Sequence, residues 1–220
     1  MSERRAAHEA SLPVGWKQVS LGQLLEAIET GKSFAADSTP PDLNQVGVMK
    51  VSAVTWGAYD ETESKTVHDP AQVNPKFFVK PGDLLFSRAN TIDLVGAVVL
   101  VDRVTRCVML SDKILRFCMP QEFKKWTLWA LRSQLGRRQI ELLATGNQES
   151  MRNIGQDRIR QILIPLPPPL ERDRIVSAIE TQFSRLDDAV ASLKRAKANV
   201  KRVRASVLKA AVEGRPVPTE

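Results

Sequence analysis

Apolar and polar positions change their spacing along this 220-residue chain, and the changes divide it. From Leu170 to Val212 there is no Gly and no Pro, and apolar residues recur in steps of three and four: Phe183, Leu186, Val190, Leu193, Val200 and Val207. That spacing predicts one long helix with a narrow coiled-coil seam rather than the broad face of a core helix. Lys197 and Arg204 interrupt the seam, while Ala196 and Val203 beside them let it drift around the helix. Pro165, Pro167, Pro168 and Pro169 precede the helix, where a missing N–H does no harm, and Glu213-Gly214-Arg215-Pro216 supplies a stop. At 1.5 Å per residue the rod is roughly 65 Å long. Either a second helix covers the seam or the rod folds back on its own domain.

Before the rod the spacing is mostly that of strands. Leu12-Pro13-Val14-Gly15-Trp16 reads as a turn that plants an aromatic, and Ser20 to Gln23 as a capping box opening a short helix through Leu24, Leu25 and Ile28. Val46–Val54 is predicted as a strand. Phe77–Val79, a Pro81-Gly82-Asp83 turn, Leu84–Ser87, Leu94–Val101, Cys107–Leu110 and Lys113–Met119 continue a set of five or six strands. Helical spacing returns over Phe123–Leu135 and Gln139–Leu143, followed by a polar loop from Thr145 to Asn153, a short helix over Gln156–Gln161 and a closing strand over Ile162–Ile164. The expected class is α+β: a mixed sheet or partly closed barrel with short helices, then one long helix. The expected divisions are a polar leader at 1–11, a domain at 12–165, the helix at 166–214 and a tail at 215–220.

Charge narrows the choice of partner. The net charge is +7, of which +3 lies up to Leu166 and +4 in the much shorter remainder. No acid occurs between Ala189 and Val212, where Lys194, Arg195, Lys197, Lys201, Arg202, Arg204 and Lys209 lie. A basic balance favours a polyanion, nucleic acid ahead of a membrane surface. Cys107 and Cys118, the only cysteines, sit in apolar runs and read as buried free thiols of a reducing, cytoplasmic protein. No window is apolar enough to span a bilayer.

Catalytic signals are weak and binding signals stronger. His8 and His68 are far apart in sequence, no Gly-rich phosphate loop or nucleophile elbow occurs, and Asp60, Glu61 and Glu63 read as turn surface. Two polar connections carry donors suited to base edges and phosphates: Ser87, Arg88, Asn90 and Thr91 in one, and Asn147, Gln148, Ser150, Arg152 and Asn153 in the other. Arg can pair with guanine and Asn with adenine. Ordinary surface turns use the same residue types.

Four segments in order resemble the specificity subunit of type I DNA restriction-modification systems. They are Leu12-Pro13-Val14-Gly15-Trp16 with Leu21-Gly22-Gln23-Leu24; Lys80 to Arg88; Ile164-Pro165-Leu166-Pro167-Pro168 with Glu171, Arg174, Ile175 and Val176; and Leu208-Lys209-Ala210-Ala211 with Glu213-Gly214-Arg215, Val217 and Pro218. Pro169 and Arg172 depart from the family pattern, which has Leu and Gln there. The familiar subunit also has two recognition domains and two long helices, where this chain has one of each.

The resemblance implies a non-catalytic target-recognition domain that binds one half-site of a bipartite double-stranded DNA target. It also implies a spacer helix paired in an antiparallel coiled coil. Implied partners are adenine methyltransferase (modification) subunits, which carry the S-adenosylmethionine, and a restriction/translocase subunit. No cofactor is expected on this chain and no membrane contact. A homodimer through Phe183, Leu186, Val190, Leu193, Val200 and Val207 is expected, or pairing with a second half-subunit. Lys50, Arg88 and Arg152 head the expected DNA contacts. The alternative is a coiled-coil adaptor whose basic helix binds a protein partner and no DNA.

Overall fold

A computed structural model describes residues 12–34, 36–146 and 151–215. The leader, the end of the tail and Asn147, Gln148 and Ser150 lie outside the described residues. The chain divides after Arg172 into two compact units.

The first unit is built on a four-stranded antiparallel sheet in the order β2–β9–β5–β7, formed by Ala27–Thr30, Ile114–Cys118, Leu84–Ser87 and Val98–Leu100. Beside it is a three-stranded mixed sheet, β4–β3–β8, formed by Ser64–Val67, Val46–Met49 and Cys107–Met109. β3 runs antiparallel to β4 and parallel to β8. Two short antiparallel pairs complete it: β1 (Lys17–Ser20) with β11 (Leu163–Leu166), and β6 (Ala89–Asn90) with β10 (Arg152–Asn153). Among the described residues the sheets form no closed barrel, so the mixed α+β architecture is the observed one.

The main core lies where both sheets contribute apolar side chains. Leu85, Val99, Val108, Leu110 and Ile114 are buried together with Ala53 and Val54. Phe86 stacks on Phe117 with ring centroids 5.1 Å apart. At roughly 1.5–3 kcal/mol for each large apolar side chain fully buried, this cluster dominates the stabilisation of the unit.

Sequence periodicity erred where tertiary hydrogen bonds took over. The helix expected from Ser20 to Ile28 stops after one turn, α1 (Leu21–Leu24), although Gln23 Oε1 accepts the Ser20 N–H at 2.8 Å as a capping box requires. The Glu26 N–H donates to Cys118 O instead, and Ile28 belongs to β2. The strand expected over Val46–Val54 breaks after Met49, and Val51–Val54 is a 3-10 turn that buries Ala53 and Val54. Both conformations bury the same apolar run, so burial alone does not choose between them. β1, β2, β4, β6 and β10 were not expected from the sequence; they are short and partly polar, and their pairing partners define them.

Two turns follow their sequence signals closely. Gly82 has φ +85°, a value that favours glycine, and the turn is closed by the Asp83 N–H donating to Lys80 O at 3.1 Å. Asp83 Oδ2 also accepts the Lys80 N–H at 2.9 Å. The turn thereby delivers a carboxylate beside Arg116, only 9% exposed. The Arg116 guanidinium donates to Asp83 (2.9 Å), Glu29 (2.9 Å), Lys76 O (3.3 Å) and Phe78 O. At the N-terminal end, Trp16 meets Trp126 edge-on at 5.7 Å, and Trp126 Nε1 donates to Pro165 O at 2.8 Å.

Helices α2 (Gln121–Arg132), α3 (Gln134–Leu143) and α4 (Gln156–Arg160) follow the strands. The long helix α5 spans Pro169–Val212, 44 residues. Arg172, in its first turn and within the first unit, is buried with its guanidinium 5.1 Å from the Phe123 ring centre. The far end closes as the Glu-Gly-Arg signal predicts. Gly214 takes φ +66°, its N–H donates to Ala211 O at 3.3 Å, and the Arg215 N–H donates to Ala210 O at 2.9 Å. From Phe183 to Val207 the expected seam is exposed, with Val190 at 41% and Leu193 at 70%.

The cysteine expectation is corrected in part. Both thiols are free, but Cys107 is exposed and Cys118 half-buried. Cys107 opens β8 at a sheet end, where a strand-like run does not guarantee burial. Burial, then the nearby Glu29 carboxylate, pushes the Cys118 thiol up.

Candidate nucleic-acid interface

The two polar connections lie far apart in sequence, with Arg88 and Asn153 separated by 65 positions, and meet in space. β6 and β10 pair with Arg152 opposite Asn90 and Asn153 opposite Ala89. The ladder continues on one side, where the Ile154 N–H donates to Arg88 O at 2.9 Å. On the other, Thr145 and Asn153 exchange backbone hydrogen bonds at 2.7 and 2.8 Å. The result is a short ribbon carrying Arg88, Asn90, Arg152 and Asn153.

Side-chain bonds arrange these groups without neutralising them. Arg88 Nε donates to Asn153 Oδ1 at 3.3 Å, and Asn90 Oδ1 accepts the Thr91 N–H at 2.8 Å. Arg152 Nη1 donates to Gly146 O at 2.8 Å, while its buried Nε finds no acceptor among the described residues. Among the described residues, no carboxylate forms an ion pair with Arg88 or Arg152 of the kind Arg116 makes. A two-stranded ribbon is narrow enough for a DNA major groove, and Arg and Asn are the side chains that pair bidentately with guanine and adenine edges.

Ser87 is corrected. It is fully buried at the end of β5, its hydroxyl donates to Ala89 O at 3.3 Å, and it shapes the connection from inside. Lys50 follows β3 of the other sheet, its N–H donates to Glu63 O at 2.9 Å, and it is no part of the ribbon.

A clamp on the segment that follows Thr91 was not expected from the sequence. Arg137 of α3 donates to the carbonyls of Val95 (2.6 Å), Asp93 (3.1 Å) and Ile92 (3.4 Å), in the segment that follows Thr91. Arg132 of α2 donates to Val98 O (2.8 and 3.1 Å) and to Gly57 O (2.6 Å). Burial lowers the Arg132 pKa. The acceptors are backbone carbonyls more than 30 residues away, so no spacing rule reveals them. The acidic turn is likewise structural. Asp60 caps Thr62, Glu63 accepts the Ser52 hydroxyl, and Glu61 accepts from Thr105 and Arg106. Burial pushes the Glu61 carboxyl up, but those hydrogen bonds prevail and it ends below its usual value.

Known proteins resemble this chain over most of its length. The chain is 31% identical over 189 residues to the type I restriction enzyme EcoEI specificity subunit of Escherichia coli, across 84% of this chain and 32% of that protein. Most of the chain is thus similar in sequence to a type I restriction specificity subunit.

A second such subunit, the EcoKI specificity subunit of Escherichia coli strain K12, is 22% identical over 203 residues, 90% of this chain and 43% of that one. The chain therefore spans a third to under half of these relatives. Solved structures show the same fold. The HsdS subunit from Thermoanaerobacter tengcongensis matches with a TM-score of 0.55 at 22% identity, over 93% of this chain and 46% of that one. A chain from work on complex assembly and conformational transition of the type I R-M system matches with a TM-score of 0.57 at 23% identity, over 93% and 47%. No protein-family model matches the chain.

Within the type I specificity fold, the four sequence segments acquire physical roles. The first plants Trp16 against Trp126, and the second supplies Asp83 to Arg116 and leads to Arg88. The third pairs β11 with β1 and opens α5, and the last caps α5 at Gly214.

Proposed function

We propose that the domain at 12–165 is a non-catalytic reader of one half-site of a bipartite DNA target, and that the β6–β10 ribbon presents its base-reading groups. The observation carrying this is the meeting of Arg88, Asn90, Arg152 and Asn153 on one ribbon, with neither arginine held by a carboxylate of the described residues. The names of the relatives, type I restriction specificity subunits, support it. The basic balance of the chain suits a polyanion.

In this reading the exposed seam of α5 pairs with a second copy, or with a second half-subunit, and the paired helices set the distance between two readers. The paired form docks adenine methyltransferase subunits, which bind S-adenosylmethionine, and the restriction subunit joins that complex in the cytoplasm. A two-fold dimer reads two copies of one half-site, so the target is an interrupted palindrome.

The test is duplex binding with and without the methyltransferase subunit, combined with mapping of methylated adenines in the host genome. Log affinity should fall linearly with log salt, by about 0.9 per phosphate neutralised. Arg88→Ala and Arg152→Ala should each weaken binding by roughly 1–3 kcal/mol, with relaxed site preference. Unchanged affinity and preference in both variants would remove the ribbon from the interface. No DNA binding at low salt would overturn the reading.

A further inference from the structure

The seam of α5 does not by itself say in which register an antiparallel copy, the direction implied by the family resemblance, lies against it. The charges beside it do. Taking Phe183, Val190, Lys197 and Arg204 as one core position and Leu186, Leu193, Val200 and Val207 as the other, the two flanks of the seam differ. One flank, at seven-residue steps, reads Asp173, Glu180, Asp187, Lys194, Lys201: acid before residue 190 and base after it. The other reads Gln182, Ala189, Ala196, Val203 and carries no charge.

We infer that the antiparallel self-pairing of α5 takes one register, with Val190 opposite Leu193 of the second copy and Asp187 opposite Lys194 of the second copy. This rests on the proposed pairing of α5 with a second copy and specifies its geometry. In an antiparallel pair each flank meets the same flank of its partner, run in reverse. The charged flank then sets Asp187 against Lys194 and Glu180 against Lys201, each twice about the two-fold axis. The uncharged flank sets Ala189 against Ala196, small enough for close approach. In the core, Phe183 meets Val200, and the misfit Lys197 meets Leu186.

The competing arrangements carry penalties. A parallel in-register pair stacks Lys197 on Lys197 and Arg204 on Arg204 within the core, and it sets the charged flank against the uncharged one, so no ion pair forms. Sliding the antiparallel pair by one heptad brings Asp187 against Asp187 in one direction and Lys194 against Lys194 in the other. Like charges on facing positions disfavour a coiled coil as much as opposite ones favour it. The chosen register alone, of these four arrangements, satisfies both flanks and the core.

Sedimentation equilibrium on the full chain tests this with Asp187→Lys and Lys194→Asp, both on the exposed helix surface. Each variant alone should dimerise about tenfold more weakly than the wild type, and an equimolar mixture should recover to within about threefold as a heterodimer, because two exposed pairs are reversed and then restored. A wild-type dimer whose two variants self-associate equally well, with no preference on mixing, would overturn the register while leaving the dimer intact. A wild-type chain that stays monomeric at every concentration would overturn the self-pairing itself, and duplex binding by the first unit is measured separately. In a Cys107→Ser background, Phe183→Cys mixed with Val200→Cys should cross-link on mild oxidation. Cross-linking of Phe183→Cys with Leu193→Cys or Val207→Cys instead would mean a register slid by one heptad, and self-cross-linking of Phe183→Cys alone would mean parallel helices; either result overturns the inference.

Discussion

The central sheet and the β6–β10 ribbon both carry arginines, and the two environments differ in what they leave undone. Arg116 on β9 is buried and saturated by two carboxylates and two backbone carbonyls. Arg88 on the ribbon shares one hydrogen bond with a neutral amide. A guanidinium matched by acids within its own fold has little left for another molecule, and its loss exposes a buried charge imbalance. A guanidinium matched only by amides and carbonyls keeps its charge for a polyanion. Ion pairing, more than residue type, separates the arginine that holds the fold from the one that serves a partner.

The largest break in this comparison should come from the central sheet. Asp83→Ala removes one partner of a buried ion pair and should cost about 3–5 kcal/mol of unfolding free energy, the usual range when a buried charge is left uncompensated. Denaturant unfolding followed by circular dichroism measures it, and a loss under 1 kcal/mol would remove the distinction between the sheet and the ribbon.

The complementary experiment is Arg88→Ala followed by the same unfolding assay. Its stability should stay within about 0.5 kcal/mol of wild type, as for a surface change that breaks no network, while duplex binding falls. A large stability loss would make Arg88 a second Arg116.

Arg137→Lys sharpens the boundary between the two regions. Lysine keeps the charge but cannot span three carbonyls with a planar fork. Discrimination between cognate and unrelated duplex should fall by roughly tenfold, about 1.4 kcal/mol, with the salt slope of binding unchanged. A changed slope would place Arg137 on phosphate rather than behind the ribbon.

Two smaller effects concern groups away from both arginines. Iodoacetamide labelling at mildly alkaline pH, read by mass spectrometry, should modify exposed Cys107 well before Cys118, whose thiol is both shielded and pushed up in pKa. Glu61 has a carboxyl lowered in the folded state, so its stabilising contribution is present above the unfolded carboxylate range and is lost as pH falls through the folded value. Glu61→Gln should flatten that acid-side loss slightly, as urea titrations between neutral and acid pH would show.

Much of the architecture was legible because local chemistry sufficed. Pro81-Gly82-Asp83 can close its turn without any distant residue, and Gly214 can take its left-handed cap from the helix alone. The polar residues of Arg88–Thr91 and Arg152–Asn153 were legible as donors, but not as neighbours. The helix expected through Ile28 and the strand expected through Val54 failed for one reason. A short apolar run satisfies several periods, and the choice passes to whichever backbone partner lies alongside. Cys118 O settled the first, and at the second the Asp60 N–H, donating to Ala53 O, lies alongside the turn.

By itself the sequence determined the length of α5, its stop, its seam and the charge reversal beside that seam, because a helix makes its hydrogen bonds within a few residues and displays its spacing directly. Only the tertiary structure decided that β6 and β10 form one ribbon, that Ser87 is buried behind it and that Arg137 holds the segment beyond. Those facts rest on pairings between residues 40 to 65 positions apart, whose partners are largely backbone groups that every sequence possesses and no sequence distinguishes.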